Sequence, residues 1–154
     1  VVADTNVVSF LVKRGPDADR YVQHVNGRLV AISFMTVAEL EWWAIKNHWG
    51  ERRRENLELD LRKYVVHPYS RALATKWAEV RADAAQKGRT ISHGDAWIAA
   101  TALLHDLPLV TDNRKDFAYL DGLTVISEPR RIAGPMLASA PEAIADLERA
   151  PGDS

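Results

Sequence analysis

The 154-residue chain contains no cysteine, and that absence removes three chemistries at once. A disulfide framework, a zinc–thiolate site and a cysteine nucleophile are all excluded, which suits a reducing cytoplasm. No apolar run approaches the ~20 residues that a bilayer span needs, and no signal-peptide pattern opens the chain, so no membrane partner is expected. An excess of one charge is also lacking. With a formal net charge of −1, attraction to a nucleic acid must come from a local basic patch or a bound cation. No segment is rich enough in glycine or serine to act as a linker, and no internal repeat is visible. What remains, 47% hydrophobic and 27% charged residues, is the composition of an ordinary globular domain of a size that supports a proper core.

Short β-branched runs alternate with longer helical patterns. Strands are expected at Val1-Val2-Ala3, Leu29-Val30-Ala31-Ile32, Tyr64-Val65-Val66, Leu109-Val110 and Leu123-Thr124-Val125-Ile126. Helices are expected near residues 17–26, 36–48, 51–62, 70–87 and 94–105, with Asp17 capping the first and Gly88 ending the fourth. In that fourth helix Leu73, Trp77, Val80 and Ala84 recur at the spacing of one buried face. Strands alternating with helices imply crossover connections, hence an α/β sandwich with a parallel sheet covered on both faces. The chain opens at Val1 inside a strand pattern, so an initiator methionine or a few residues are expected to precede it. After Gly134 the character changes: Pro135, Pro141 and Pro151 bracket a short helical stretch at 142–149. Residues 1–133 are therefore expected to form the working domain and 134–154 a peripheral tail.

Acidic residues stand where such a sheet places its ligands, beyond the carboxyl ends of the strands. Asp4 follows the first strand, Glu39 lies in the first turn after the second, Asp95 opens a helix, and Asp112 and Asp116 follow the fourth strand. Each has an ordinary explanation: Asp4 as a cap, Asp95 as a favourable charge at a helix start, Asp112 or Asp116 as turn residues. If 112–116 is helical, both of its acids point to one side. Glu39, among residues that look buried, is harder to explain as a solvated charge. Four carboxylates facing one cleft repel unless a divalent cation or shared protons intervene. A hard cation held by such oxygens suits phosphoryl-ester hydrolysis. Thr5, Asn6, Thr111 and Asn113 are short polar groups placed to orient the acids.

Other residues invite weaker readings. Arg52-Arg53-Arg54, flanked by Lys46 and Arg62-Lys63, is the densest basic region and the best sequence choice for a phosphate backbone. His93, close to Asp95, could touch substrate; the five histidines show no metal-ligand spacing. Trp42, Trp43 and Trp49 could form a dimer face. Trp97 is weighed as a base-stacking residue against the commoner role of core aromatic.

In order along the chain, four pieces together resemble the PIN domain, in particular VapC-type toxins of bacterial toxin–antitoxin pairs. They are Asp4-Thr5-Asn6, Thr36-Val37-Ala38-Glu39-Leu40, Asp95-Ala96-Trp97-Ile98-Ala99-Ala100, and Val110-Thr111-Asp112-Asn113-Arg114-Lys115-Asp116-Phe117. No piece is specific alone; the ordered set, over residues 1–129, is. The resemblance implies a Rossmann-like three-layer sandwich and a Mg²⁺- or Mn²⁺-dependent endoribonuclease in the bacterial cytoplasm. Asp4, Glu39 and Asp95 match the first three acidic positions. Asp116 matches the fourth in register with the following Phe117, with Asp112 left open. The implied partners are an RNA substrate, a cognate antitoxin and a second copy of the chain, giving a hetero-oligomer. A maturation nuclease or a non-catalytic binding module on the same fold are the alternatives. A haloacid-dehalogenase-type phosphotransferase needs a second Asp two residues after the first, where this chain has Asn6.

Overall fold

The computed structural model describes residues 1–130; the expected tail, 134–154, lies outside the described residues. Five parallel strands make one sheet in the order β3-β2-β1-β4-β5. They are β1 (Val2–Ala3), β2 (Ala31–Ser33), β3 (Val65–His67), β4 (Leu109–Val110) and β5 (Val125–Ile126). The α-helices among the described residues are α1 (Thr5–Lys13), α2 (Pro16–Val25), α3 (Phe34–Lys46), α4 (Glu51–Leu61), α5 (Arg71–Gln86) and α6 (His93–Leu104).

Strand alternation builds two cores. Val2, Ala31 and Leu109 face the side packed by α5 and α6, with Leu73, Val80 and Ala84 of the expected α5 stripe. Trp77, the fourth member of that stripe, packs against this core while remaining partly exposed. Their neighbours Ala3, Ile32 and Val110 face the opposite core, with Val7, Phe10, Tyr21, Leu40 and Leu57 from α1 to α4. A period of two residues thus divides β1, β2, β4 and β5 between the two faces, which gives three layers, while Val65 and Val66 of the edge strand β3 remain exposed. Helix α6 is buried over much of its length. Ala96, Ala99, Ala100 and Ala102 are fully buried, and their small side chains let the helix lie close to both α5 and the sheet.

The chain runs outward from β1 through β2 to β3, then returns to add β4 and β5 on the other side. The order therefore reverses between β1 and β4, where an open α/β sheet leaves a crevice at its carboxyl edge.

Three local expectations are corrected. Helix α1 occupies residues for which β-branched content gives no helical signal; its Val7, Val8 and Phe10 are buried against the sheet, and tertiary packing overrides propensity. Asp17 does not cap α2. Gly15 holds that position with Pro16 after it, and Asp17 instead pairs with Arg20 at 2.9 Å. Because α3 begins at Phe34, capped by the Ser33 hydroxyl, Glu39 lies in its second turn rather than its first.

Candidate active site

Asp4 ends β1 and caps α1. Its Oδ1 accepts the Thr5 N–H at 2.7 Å and its Oδ2 accepts the Thr111 hydroxyl at 2.7 Å, across the β1–β4 junction. The Thr5 hydroxyl lies 3.1 Å from that of Thr36 and donates to Glu39 Oε1 at 3.5 Å. Asp95 stands in the first turn of α6, its N–H bonded to the capping Ser92 hydroxyl at 3.1 Å. The Asn113 side-chain amide donates to Asp116, which closes a short 3₁₀ turn at Arg114–Asp116. Asn6 makes no hydrogen bond to any of these acids through its side chain among the described residues; its carbonyl accepts the Ser9 hydroxyl at 2.7 Å.

The acids feel one another. Burial, then the Asp95 charge, pushes Asp4 up to about 7 against the pull of its hydrogen bonds to Thr111 and Thr5; the Glu39 charge adds to the rise. Burial and Asp95 likewise push Glu39 up to about 7, opposed by Thr5. Asp95 is raised by burial and by the charge of Asp116, against its bond to Ser92. Asp4, Glu39, Asp95 and Asp116 therefore share a single electrostatic neighbourhood.

Asp112 is turned elsewhere. Its side chain is 3% exposed and is held by Arg20 at 2.8 Å, the Tyr21 hydroxyl at 3.1 Å and Arg130 at 2.9 Å. The 112–116 stretch is not a continuous helix, and its two carboxylates do not share a side. With two guanidiniums and a phenol hydroxyl on its oxygens, Asp112 belongs to an ion cluster distinct from the four grouped acids.

Gly94 was not singled out by sequence, yet it shapes the site. A Cβ there would stand 3.1 Å from Glu39 Oε1, so the missing methyl is what lets α6 bring Asp95 beside Glu39. The only sequence signal is a glycine immediately before an acid at a helix start. Arg89 was missed as well. Its guanidinium donates to the Lys115 carbonyl at 2.8 Å and lies over the Tyr119 ring at 4.2 Å. A cation thus sits next to the residue preceding Asp116.

The expected substrate residues divide. His93 begins α6 on the rim of the cleft, with its carbonyl accepting Trp77 Nε1 at 3.4 Å. Arg52, Arg53 and Arg54 lie on α4, with Arg53 over the Trp49 ring at 4.2 Å. Arg54 lines a groove of about 670 Å³ with Trp49, Glu51, Glu55, Leu59 and Arg62, among other residues of that helix. None of the four clustered acids lines it, so the structure does not bring the arginine run to them. Trp97 is enclosed by Trp77, stacked at 5.3 Å, and by the edge of Phe34 at 5.4 Å, which is the core role.

The donor set is all hard oxygen, and Gly94 leaves the Glu39 oxygen uncovered; in chemistry the residues fit a divalent cation of the Mg²⁺ type. Among the described residues, no three acidic or imidazole side chains yet converge tightly enough to hold one ion between them. The carboxylates are grouped within electrostatic reach rather than drawn into ligating geometry.

Residues 1–123 match the PIN domain family. The chain belongs to that family. Within the PIN family its relatives are VapC ribonucleases. One, the tRNA(fMet)-specific endonuclease VapC of Shigella flexneri, is 32% identical over 120 residues, covering 78% of this chain and 91% of the relative. Among solved structures, VapBC2 from Rickettsia felis, bound to a promoter DNA fragment, superposes with a TM-score of 0.73 at 24% identity. It covers 83% of this chain and 98% of that one, and at that identity it speaks for the PIN fold alone. A toxin–antitoxin complex from Klebsiella pneumoniae aligns at 28% identity with a TM-score of 0.63, over 82% of this chain and 96% of that one. Among the described residues no helix is long and apolar enough to cross a membrane.

Proposed function

We propose that this VapC-type PIN ribonuclease hydrolyses RNA phosphodiesters with Mg²⁺ or Mn²⁺ held by Asp4, Glu39, Asp95 and Asp116, and that it is the toxin of a toxin–antitoxin pair. The observation that carries the reading is that burial raises Asp4, Glu39 and Asp95 together, with the Asp95 charge adding to the rise of Asp4 and Glu39, which both reach about 7. Buried like charges that gain nothing from each other are costly to keep. A divalent cation in their midst offsets that cost, and when bound it supplies charge neutralisation at the phosphate and acidifies a water.

The chain's own residues set the frame for that chemistry. Thr5 and Thr111 fix the two oxygens of Asp4, leaving further lone pairs free to ligate. Thr5 also steadies Glu39, and Asn113 steadies Asp116. Arg89 places positive charge where an RNA phosphate approaching the acids can be held. In line with this, the substrate is oriented by side chains and no protein nucleophile is required.

The likeness to VapC relatives and to a toxin–antitoxin complex supports a cognate antitoxin as partner. Trp42 and Ile45 on α3 are 54% and 60% exposed, and with the α4 groove they offer apolar surface for an antitoxin helix and for a second copy of the chain. The test is cleavage of RNA by the purified protein with Mg²⁺, with Mn²⁺ and with chelator, for wild type and for the Asp95→Asn and Asp116→Asn variants. Cleavage should be lost with chelator and fall by orders of magnitude in both variants. Full activity of Asp95→Asn with metal present sinks the site. Expression alone should arrest bacterial growth, and co-expression with the antitoxin should restore it; a harmless active enzyme would point to RNA maturation instead.

A further inference from the structure

Three segments distant in sequence meet at the carboxylate of Asp112. Arg20 reaches it from α2 with a side chain only 8% exposed, and is itself fixed by Asp17 at 2.9 Å and by the Glu128 carbonyl at 2.9 Å. Tyr21, also on α2, donates to the same oxygen at 3.1 Å and contacts the Thr111 carbonyl at 3.4 Å. Arg130, from the chain beyond β5, takes the other oxygen at 2.9 Å. An ion cluster with Asp112 and Arg20 buried and Arg130 half exposed is a weak source of net stability, because desolvation offsets most of the attraction. What it does supply is direction, since each hydrogen bond fixes where the carboxylate, and the backbone bearing it, must lie.

The backbone on either side of Asp112 carries the groups that hold the acids. One residue earlier, the Thr111 hydroxyl donates to Asp4 at 2.7 Å and accepts the Asn113 N–H at 3.0 Å. One residue later, the Asn113 amide donates to Asp116. A shift of Asp112 therefore reaches Asp4 through Thr111 and Asp116 through Asn113.

We propose that Asp112, clamped by Arg20, Tyr21 and Arg130, is a positioning residue for catalysis: it anchors the exit of β4 so that Thr111 and Asn113 hold Asp4 and Asp116 in place to bind the cation. The proposal rests on the metal-site reading above. It also gives α2 and the chain after β5, neither of which contributes an acid, control over the geometry of the site.

The experiment compares the full-length wild type with Asp112→Asn, Tyr21→Phe, and the double variant Arg20→Met/Asp112→Asn. The measurements are kcat and KM on a single-stranded RNA as Mn²⁺ is varied, and the rise in melting temperature on adding Mn²⁺ without RNA. Asp112→Asn should lower kcat about 10- to 100-fold, as loss of groups that orient metal ligands does, with KM little moved. It should also need more Mn²⁺ for half of the melting-temperature rise. Tyr21→Phe, which removes a single oxygen and decides the matter if Asp112→Asn does not fold, should shift both readouts the same way but less. The double variant should be no worse than Asp112→Asn alone. Variants that lose stability but keep the wild-type kcat and Mn²⁺ requirement would show a plain structural ion cluster and overturn the proposal. A wild type that neither cleaves RNA nor gains stability from Mn²⁺ overturns the metal-site reading beneath it.

Discussion

The hydroxyl of Thr111 donates to Asp4 Oδ2 at 2.7 Å, joining residues 107 apart in sequence at the point where the strand order reverses. Both side chains are buried, so the bond is made where water cannot replace it.

Thr111→Val keeps the shape and removes the donor. It leaves one oxygen of a buried carboxylate without its partner, a change that costs about 1–3 kcal/mol in stability when the acid is ionised. The Asp4 pKa should rise further and kcat should fall about tenfold or more. Steady-state cleavage at fixed Mg²⁺, alongside a melting curve, checks both; unchanged kcat would mean that Asp4 does not depend on this bond.

The elevated acids also set a pH dependence without metal. Asp4 and Glu39 stand at about 7 in the fold against roughly 4 when unfolded. Between those values the folded chain binds more protons than the unfolded one, so stability falls as pH rises from ~4 to ~7 and levels off above. In chelator, the melting temperature should drop across that window. Asp95→Asn should be more stable than wild type at neutral pH, by about 1 kcal/mol, an advantage that fades below pH ~4. A mutant that melts lower at neutral pH would show that the acids do not repel.

Gly94→Ala separates folding from activity. Alanine is favoured over glycine within a helix by about 1 kcal/mol, so little stability should be lost. The added methyl meets Glu39 Oε1 at 3.1 Å, so that carboxylate or the start of α6 must give by a few tenths of an ångström. Cleavage should fall about tenfold or more while the melting temperature stays near wild type; normal activity would mean the Glu39 position is not critical.

Arg89→Gln should raise KM about fivefold, equivalent to roughly 1 kcal/mol, with the effect shrinking at high salt because a phosphate contact is screened. The same exchange at Arg54, on α4, serves as the comparison. Equal losses at both positions would place the RNA across α4 as well.

Much of the architecture was legible because periodicity reports burial: the Leu73, Val80 and Ala84 stripe and the apolar strands β1, β2, β4 and β5 lie in or beside the core, whereas the valines of β3 are exposed at the sheet edge. Helix α1 was hidden because Val7, Val8 and Phe10 carry no helical preference, and only contact with the sheet selects that conformation. Asp4, Glu39 and Asp95 could be read as neighbours, since Asp4 and Asp95 stand at the ends of regular elements and Glu39 lies early in the helix that follows β2. Asp112 and Asp116 could not be separated, because residues four apart share a side only in a helix. What sets Asp112 apart from Asp116 is its contact with Arg20 and Arg130, 92 and 18 positions away. Gly94 and Arg89 act through distances that no spacing encodes.

The parallel pairing of β1 with β4 also has a consequence in time. β1 is made about a hundred residues before the strand beside it, which starts at Leu109, and Asp116 follows later still. At typical rates of synthesis, Asp4 waits on the order of ten seconds for Thr111, and until then only its local bond to the Thr5 N–H orients it. The four acids therefore come together only after Asp116 has been made. A protein waiting at the exit of the ribosome could engage the helices of the first half before the nuclease becomes competent.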